Sequence, residues 1–107
     1  MSTAAQIVLC NCPDNQTAEG LARALVEQQL AACVNVLPGI RSFYRWEGKV
    51  EQAEEVALII KTTATNYPAV EQFIQQQHPY DVPEIITCSV TAGLPAYLEW
   101  LEEACKL

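Results

Sequence analysis

The chain contains one histidine and five cysteines, the residue types best suited to bind a soft or borderline metal ion such as copper or zinc. Cys10 and Cys12 are two positions apart in an apolar run, so on a strand their side chains share one face. That spacing is weak evidence for a metal site, because the sequence has neither a Cys-x-x-Cys pair nor a zinc-type cluster of cysteine and histidine. Buried cysteine is also a common small hydrophobic residue. We expect this core role for Cys12, Cys88 and Cys105.

The single histidine lies in the stretch HPYDVPEIIT, residues 78–87. Pro79 restricts His78 to extended backbone, so the segment reads as a stiff connector into a strand. His78 also follows a helical pattern, where the helix dipole favours its protonated form. Two roles remain open for His78, a purely structural one and that of a ligand or pocket residue. Catalysis is disfavoured, because no third group accompanies the cysteine and histidine and the hydrolase, P-loop and dinucleotide motifs are absent.

Three charged residues could form a polar cleft. Lys61 ends the apolar strand VALIIK, Glu55 precedes it on the same face, and Glu84 opens the last predicted strand. The first interpretation is a structural ion pair between Lys61 and one of the two glutamates. The second is a small-ligand pocket at a subunit boundary.

Hydrophobic periodicity predicts the order β-α-β-β-α-β with an additional C-terminal helix. Residues 6–12, 33–46, 50–63 and 84–91 read as strands. The first helix begins at Asp14 or Asn15, with Ala18, Leu21, Ala22, Leu25 and Val26 on one stripe. The second covers residues 66–77. The last covers 94–107, with a stripe of Leu94, Leu98, Leu101 and Cys105. This order is that of an α+β, ferredoxin-like sandwich with a long central hairpin, built as one domain over residues 1–107.

The central hairpin is too long for a compact monomer. Its arms of about a dozen residues span roughly 40 Å, whereas a chain of this size has a radius of gyration of about 13 Å. Pro38 and Gly39 indicate a bulge and an edge strand. The tip carries Phe43, Tyr44 and Trp46, which would be costly to expose to water. We therefore predict an oligomer in which hairpin arms join sheets across subunits.

Composition excludes several classes of function. The net charge is −7, from thirteen acidic and six basic residues, which disfavours nucleic acid and anionic membrane surfaces. No apolar run reaches the roughly 20 residues of a membrane span, so we expect no membrane insertion. The start MSTAAQIVLCNC lacks the features of a signal peptide. We therefore expect a cytoplasmic protein with free thiols.

The motifs LAACVNVLPG, SFYRWEGKVEQAEEVALIIKTT and HPYDVPEI, in this order, resemble the CutA divalent-cation-tolerance family. The resemblance extends from Cys10 nearly to the C-terminus. It implies a ferredoxin-like protomer, a tight cytoplasmic homotrimer with a plan similar to PII signalling proteins, and no catalytic reaction. Copper binding is ascribed to family members, and anchoring of partner proteins has been proposed for some.

The resulting hypothesis is a trimeric, non-catalytic regulator of metal tolerance that binds divalent cations, most plausibly copper. Its expected metal ligands are His78, Cys33 from the family-matching AACVN, and Glu84 as an oxygen donor. A second hypothesis is a PII-like sensor with a small-ligand pocket between subunits, by analogy of fold. The residues expected in that pocket are Lys61, Tyr80, Trp46, Glu55 and Tyr44. A third hypothesis is a trimeric scaffold without small-molecule chemistry.

Overall fold

The computed structural model describes residues 3–106, so Met1, Ser2 and Leu107 of the predicted 1–107 domain lie outside the described residues. The strands are β1 (Ala5–Cys12), β2 (Cys33–Trp46), β3 (Lys49–Thr63) and β4 (Ile86–Ser89), and the helices are α1 (Asn15–Glu27), α2 (Tyr67–Gln77) and α3 (Pro95–Ala104). The fold is the α+β, ferredoxin-like arrangement that the periodicity predicts. The fourth strand is shorter than expected: its ladder with β1 covers residues 86–89, followed by one further backbone hydrogen bond from Val90 to Ala5.

The four strands form one antiparallel sheet in the order β2-β3-β1-β4. Its two faces differ because side chains alternate along a strand. Val8, Cys10 and Cys12 face the helices together with Val56, Leu58 and Ile60, and all six are buried. We call this the helix face of the sheet. The opposite or outer face carries Ile7, Lys61, Cys33 and Cys88, which are paired across the sheet and are only half-buried or exposed.

Helix α1 begins with the cap that the sequence predicts. The carboxylate of Asp14 accepts a hydrogen bond of 2.7 Å from the backbone N–H of Thr17, which satisfies one free donor of the first turn. Ala18, Leu21 and Leu25 of the predicted stripe are buried. Val26 is exposed, contrary to the prediction, because it lies about 100° around the helix from Leu25 and therefore at the margin of the buried stripe.

The β2–β3 hairpin projects beyond the helices, as the length argument predicts. Its strands contain 14 and 15 residues, and the molecule extends 45 Å along its longest axis against 22 Å along its shortest. The register shifts between Leu37 and Ile40, at the predicted Pro38-Gly39 bulge on the edge strand. Glu47 and Gly48 form the two-residue turn, both at positive φ as a type I′ hairpin requires.

Helix α3 packs near the start of β1, where Leu101 and Cys105 are buried against Ala5. Two expectations for this part of the chain are wrong. Leu94 precedes the helix as its N-cap residue and is exposed, rather than part of the apolar stripe. Cys88 is exposed on the outer face of β4, whereas Cys12 and Cys105 are buried as expected.

Candidate metal centre

Cys10, Cys12 and His78 lie together inside the protein. One potential ligand atom from each residue can be chosen so that all three lie within 4.8 Å of one another. The two cysteines are fully buried, and His78 is 7% exposed. Strand β1 positions the sulfur atoms, because residues 10 and 12 project from the same face. No other group of at least three histidine, cysteine, aspartate or glutamate ligands is gathered in this way among residues 3–106.

His78 is held by two hydrogen bonds to its ring. It follows α2 as the C-cap residue, and its backbone is extended, as expected for a residue before proline. The backbone N–H of Tyr80 donates to Nδ1 at 3.1 Å, and Nε2 lies 2.8 Å from the carbonyl oxygen of Asn11. Because Nδ1 accepts, this pattern assigns a neutral ring whose proton is on Nε2 and is donated to Asn11.

The two thiols differ in how readily each loses its proton. A hydrogen bond to Cys12 raises the pKa of Cys10 well above its ordinary value, and burial adds to that rise. The same bond lowers the pKa of Cys12, against the opposing effect of burial. The negative charges of Glu84 and Glu55 also raise the pKa of Cys10. Cys12 is therefore the first of the pair to become a thiolate, the form that binds metal.

The groups next to the cluster tie the connector of residues 78–85 to two strands. The phenol of Tyr80 donates a hydrogen bond of 3.1 Å to Glu55 of β3. Burial is the main cause that raises the pKa of Tyr80 to about 12, and the Glu55 carboxylate is the second. The amide of Asn11 in β1 donates to Glu84 at 3.4 Å. Glu84, an expected oxygen ligand, is thus close enough to influence Cys10 electrostatically but is not one of the three gathered ligands.

The structure places Cys33, the other expected ligand, apart from His78 within one chain. Cys33 is opposite Lys61 in the sheet, whereas Cys10 is opposite Leu58. Because Lys61 and Leu58 are an odd number of positions apart on β3, the two cysteines face opposite sides of the sheet. A site shared by Cys33 and His78 therefore requires a second copy of the chain.

The five expected pocket residues do not meet within one chain. Tyr80 contacts Glu55, and Tyr44 is near enough to contribute to the raised pKa of Tyr80. Lys61 is six residues from Glu55 along β3, or roughly 20 Å. Trp46 lies at the hairpin tip opposite Lys49, about 20 Å from Glu55 in the other direction.

The predicted ion pair of Lys61 with Glu55 or Glu84 is wrong for the chain as described. The ammonium group of Lys61 donates instead to the side-chain oxygen of Asn35 on the neighbouring strand. The one ion pair within residues 3–106 joins Lys106 and Glu103, both exposed. The separation of about 20 Å along β3 is the physical reason that Lys61 cannot reach Glu55.

Sequence reasoning missed the grouping of Cys10 and Cys12 with His78. Cys12 was expected to be a core residue, and it is both buried and next to a histidine. The topology contained a usable signal. Because β4 runs antiparallel to β1, the chain that enters β4 must pass the end of β1, which places HPYDVPE beside Cys12.

The fold and the cluster define a small α+β protein with a buried centre of two thiols and one imidazole, a set suited to soft or borderline cations. The family model described as CutA1 divalent ion tolerance protein matches residues 6–104. This chain belongs to that family, as its sequence motifs indicate.

Individual relatives agree with this assignment. The divalent-cation tolerance protein CutA of Pectobacterium atrosepticum is 45% identical over 95% of this chain and 93% of its own length. The crystal structure of CutA from Xylella fastidiosa has a TM-score of 0.94 and 41% identity, covering 97% of this chain and all of the other. A structure described as the periplasmic divalent cation tolerance protein CutA of Archaeoglobus fulgidus has a TM-score of 0.91 and 36% identity, covering 95% and 99%.

Within residues 3–106, no helix is both long enough and apolar enough to cross a membrane. The longest, α1, has 13 residues, short of the roughly 20 that a span requires.

Proposed function

We propose that this protein binds a divalent cation, copper first among them, through Cys10, Cys12 and His78, and that it acts in metal-ion tolerance as a trimeric, non-catalytic regulator. The observation that carries the proposal is the convergence of two sulfur atoms and one ring nitrogen within 4.8 Å. These residues come from β1 and from the end of α2, which are distant in sequence.

The donor set favours copper and zinc over hard cations. Thiolate and imidazole bind the later first-row metals, whereas magnesium and calcium require oxygen ligands. The nearest carboxylates, Glu55 and Glu84, are held by Tyr80 and Asn11 respectively. When loaded, the two sulfur atoms would supply negative charge to the ion and His78 a neutral donor.

The state of the cluster supports a binding role over a catalytic one. A nucleophilic cysteine needs a lowered pKa and a base with a free lone pair. Cys12 meets the first requirement, since its pKa is lowered, but both ring nitrogens of His78 are engaged by backbone groups, so the second requirement is not met. The family description likewise names ion tolerance and no reaction.

The proposal of a trimer rests on apolar surface that one chain leaves open. Phe43, Trp46 and Val50 at the hairpin tip are between 62% and 69% exposed. Ile86 on the outer face is 52% exposed, and β2 and β4 are both free edges of the sheet. Such edges and patches favour association. Sedimentation at micromolar concentration is expected to give three times the 11.8 kDa chain mass, and a stable monomer would contradict the trimer.

The cytoplasm is the proposed location, since all five cysteines are free thiols. A location outside the cytoplasm remains the competing proposal, in view of the relative described as periplasmic. Fractionation of cells expressing the full-length protein separates the two.

The contact between Tyr80 and Glu55 favours a second candidate function, a small-ligand sensor of PII type. Lys61 and Trp46 could join that contact only from neighbouring subunits, because of their distance along the hairpin. Such a sensor predicts a thermal shift with a metabolite that Lys61→Ala abolishes. A metabolite screen without any shift, together with no metal binding, would leave the scaffold hypothesis.

Metal titration tests the principal proposal. Anaerobic titration of the reduced protein with Zn²⁺, and separately with Cu²⁺ while the free thiols are counted, is expected to saturate at one ion per chain. Cys10→Ser and Cys12→Ser should each weaken binding at least about 100-fold, because each removes a direct ligand. Cys33→Ser is the matched control and should bind like the wild type. Equal affinity of all these variants would remove the proposed site.

A further inference from the structure

The connector of residues 78–85 joins the candidate metal centre to the long hairpin. At one end, the His78 ring contacts the backbone of Asn11. In the middle, Tyr80 reaches Glu55 of β3, and at the far end Glu84 contacts the side chain of Asn11. Pro79 and Pro83 stiffen the segment, so a displacement at Tyr80 is not absorbed locally.

A metal ion cannot bind His78 without breaking a hydrogen bond. A neutral imidazole has one N–H and one lone pair. In the present arrangement the lone pair on Nδ1 accepts from Tyr80, and the N–H on Nε2 donates to Asn11. Neither nitrogen is free to coordinate.

Both possible modes of coordination break the hydrogen bond that the backbone N–H of Tyr80 donates to the His78 ring. If Nδ1 binds the ion, the lone pair that accepted from Tyr80 is used. If Nε2 binds the ion, the ring proton moves to Nδ1, which then faces the Tyr80 N–H as a second donor. The second mode also removes the bond to the Asn11 carbonyl. Loss of the Tyr80 bond is therefore common to both modes.

We infer that loading of the Cys10–Cys12–His78 centre releases the Tyr80 turn and weakens the Tyr80–Glu55 contact, so that the β2–β3 hairpin loses this attachment to the connector. The inference rests on the proposed metal site and gives it a means of regulation. The hairpin also carries the exposed aromatic residues of the proposed subunit contact. Metal binding would thus alter the surface through which copies of the chain associate.

Coupling of this kind is reciprocal. If metal binding weakens the attachment of the connector, then weakening the attachment by mutation must strengthen metal binding by the same factor. Tyr80→Phe removes the hydroxyl that contacts Glu55 but keeps the ring and the backbone N–H. We expect Tyr80→Phe to bind Zn²⁺ about fivefold more tightly than the wild type, the factor set by one net hydrogen bond.

The test uses Zn²⁺ alone, as a diamagnetic probe, with the reduced full-length protein followed by NMR and amide hydrogen exchange. Saturation is expected to shift the ring nitrogens of His78 and to speed exchange of the Tyr80 amide about fivefold. The amides of Glu55 and Val56 should shift in the wild type but not in Tyr80→Phe. Tyr67→Phe is the matched control, since it removes a phenol that donates to Glu71 at 2.8 Å on α2, and it should respond to Zn²⁺ as the wild type does.

The outcomes separate this inference from the metal site itself. If Zn²⁺ shows no saturable, Cys12-dependent binding, the metal site and the coupling both fail. If Zn²⁺ binds with unchanged Tyr80 exchange and equal affinity in Tyr80→Phe, the site stands and the coupling is overturned. Faster Tyr80 exchange with tighter binding by Tyr80→Phe supports both.

Discussion

The two faces of one sheet carry cysteines in opposite circumstances. On the helix face, Cys10 and Cys12 are completely buried and lie next to His78. On the outer face, Cys33 is half-buried and Cys88 is exposed, and Lys61 between them contacts Asn35. The same residue type therefore forms part of a candidate metal centre on one face and of open surface on the other.

The difference follows from alternation along the strands. A shift of one position along a strand moves a side chain from one face of the sheet to the other. Cys10 and Cys33 therefore project from opposite faces, although only β3 lies between their strands. Helices α1 and α2 cover the helix face, whereas the outer face is covered only near Ala5, where α3 packs. A cysteine on a central strand is thus placed inside or outside by register rather than by its neighbours in sequence.

The largest expected contrast between the faces is in thiol reactivity. Alkylation of Cys10 and Cys12 requires opening of the protein, and folded domains are favoured over their open states by factors of about 10³ or more. In dilute native protein, Cys88 should therefore react at least about 1,000 times faster than Cys10 and Cys12. Peptide mapping by mass spectrometry after brief alkylation measures the ratio.

A concentration series provides the control for that measurement. If copies associate through the outer face, the rate at Cys88 should fall as the protein concentration rises, while the rates at Cys10 and Cys12 stay constant. Equal reactivity of all three thiols in the dilute native protein would contradict the assignment of the faces.

The second contrast concerns packing, tested by the same substitution on both faces. Ile60→Ala on the helix face leaves a cavity in a fully buried site and should lower the free energy of unfolding by about 2–5 kcal/mol. Ile86→Ala on the outer face removes a half-exposed side chain and should cost less than about 1 kcal/mol in the isolated chain.

Chemical denaturation at several protein concentrations measures both variants. A larger cost for Ile86→Ala that grows with concentration would identify Ile86 as part of the subunit contact. Equal costs at every concentration would mean that the two faces are packed alike, against the structure described here.

Much of the fold is encoded locally and was predicted for that reason. The Asp14 cap, the bulge at Pro38-Gly39 and the alternation of Val56, Leu58 and Ile60 each depend on a few neighbouring residues. The projecting hairpin followed from strand length alone. Family motifs then added the class of protein, and the match over residues 6–104 confirmed it.

The candidate site was predicted only in part, because its contacts are distant in sequence. Asn11 and His78 are 67 positions apart, and nothing in local periodicity specifies that contact. His78 was expected to be a ligand and is one of the three gathered residues, but its neighbours depend on the passage of the connector past the end of β1. Lys61 was assigned an ionic partner from charge alone, although strand geometry forbids the contact within one chain.

A third contrast compares cysteine-to-serine substitutions on the two faces in the absence of metal. Cys12→Ser introduces a hydroxyl into a fully buried site and should cost about 1–3 kcal/mol of stability. Cys33→Ser should change stability by no more than about 0.5 kcal/mol, since Cys33 is half-exposed. Thermal unfolding with excess chelator measures the difference, and an unchanged midpoint for Cys12→Ser would mean that water already reaches the cluster.

The smallest expected effect comes from Tyr80→Phe, which removes the Tyr80 hydroxyl beside the metal centre. Tyr80→Phe should cost less than about 1 kcal/mol at neutral pH, because the contact with Glu55 is partly exposed. The pKa of Tyr80 is raised above its ordinary value of 10.0 to about 12, so the folded state holds this proton more strongly than the unfolded state. The contribution of Tyr80 is therefore fully present below pH 10 and is lost as the pH rises towards 12. Denaturation curves of the wild type and Tyr80→Phe should accordingly converge over this interval, whereas a constant difference would show that the phenol does not titrate with the raised pKa that burial and the contact with Glu55 produce.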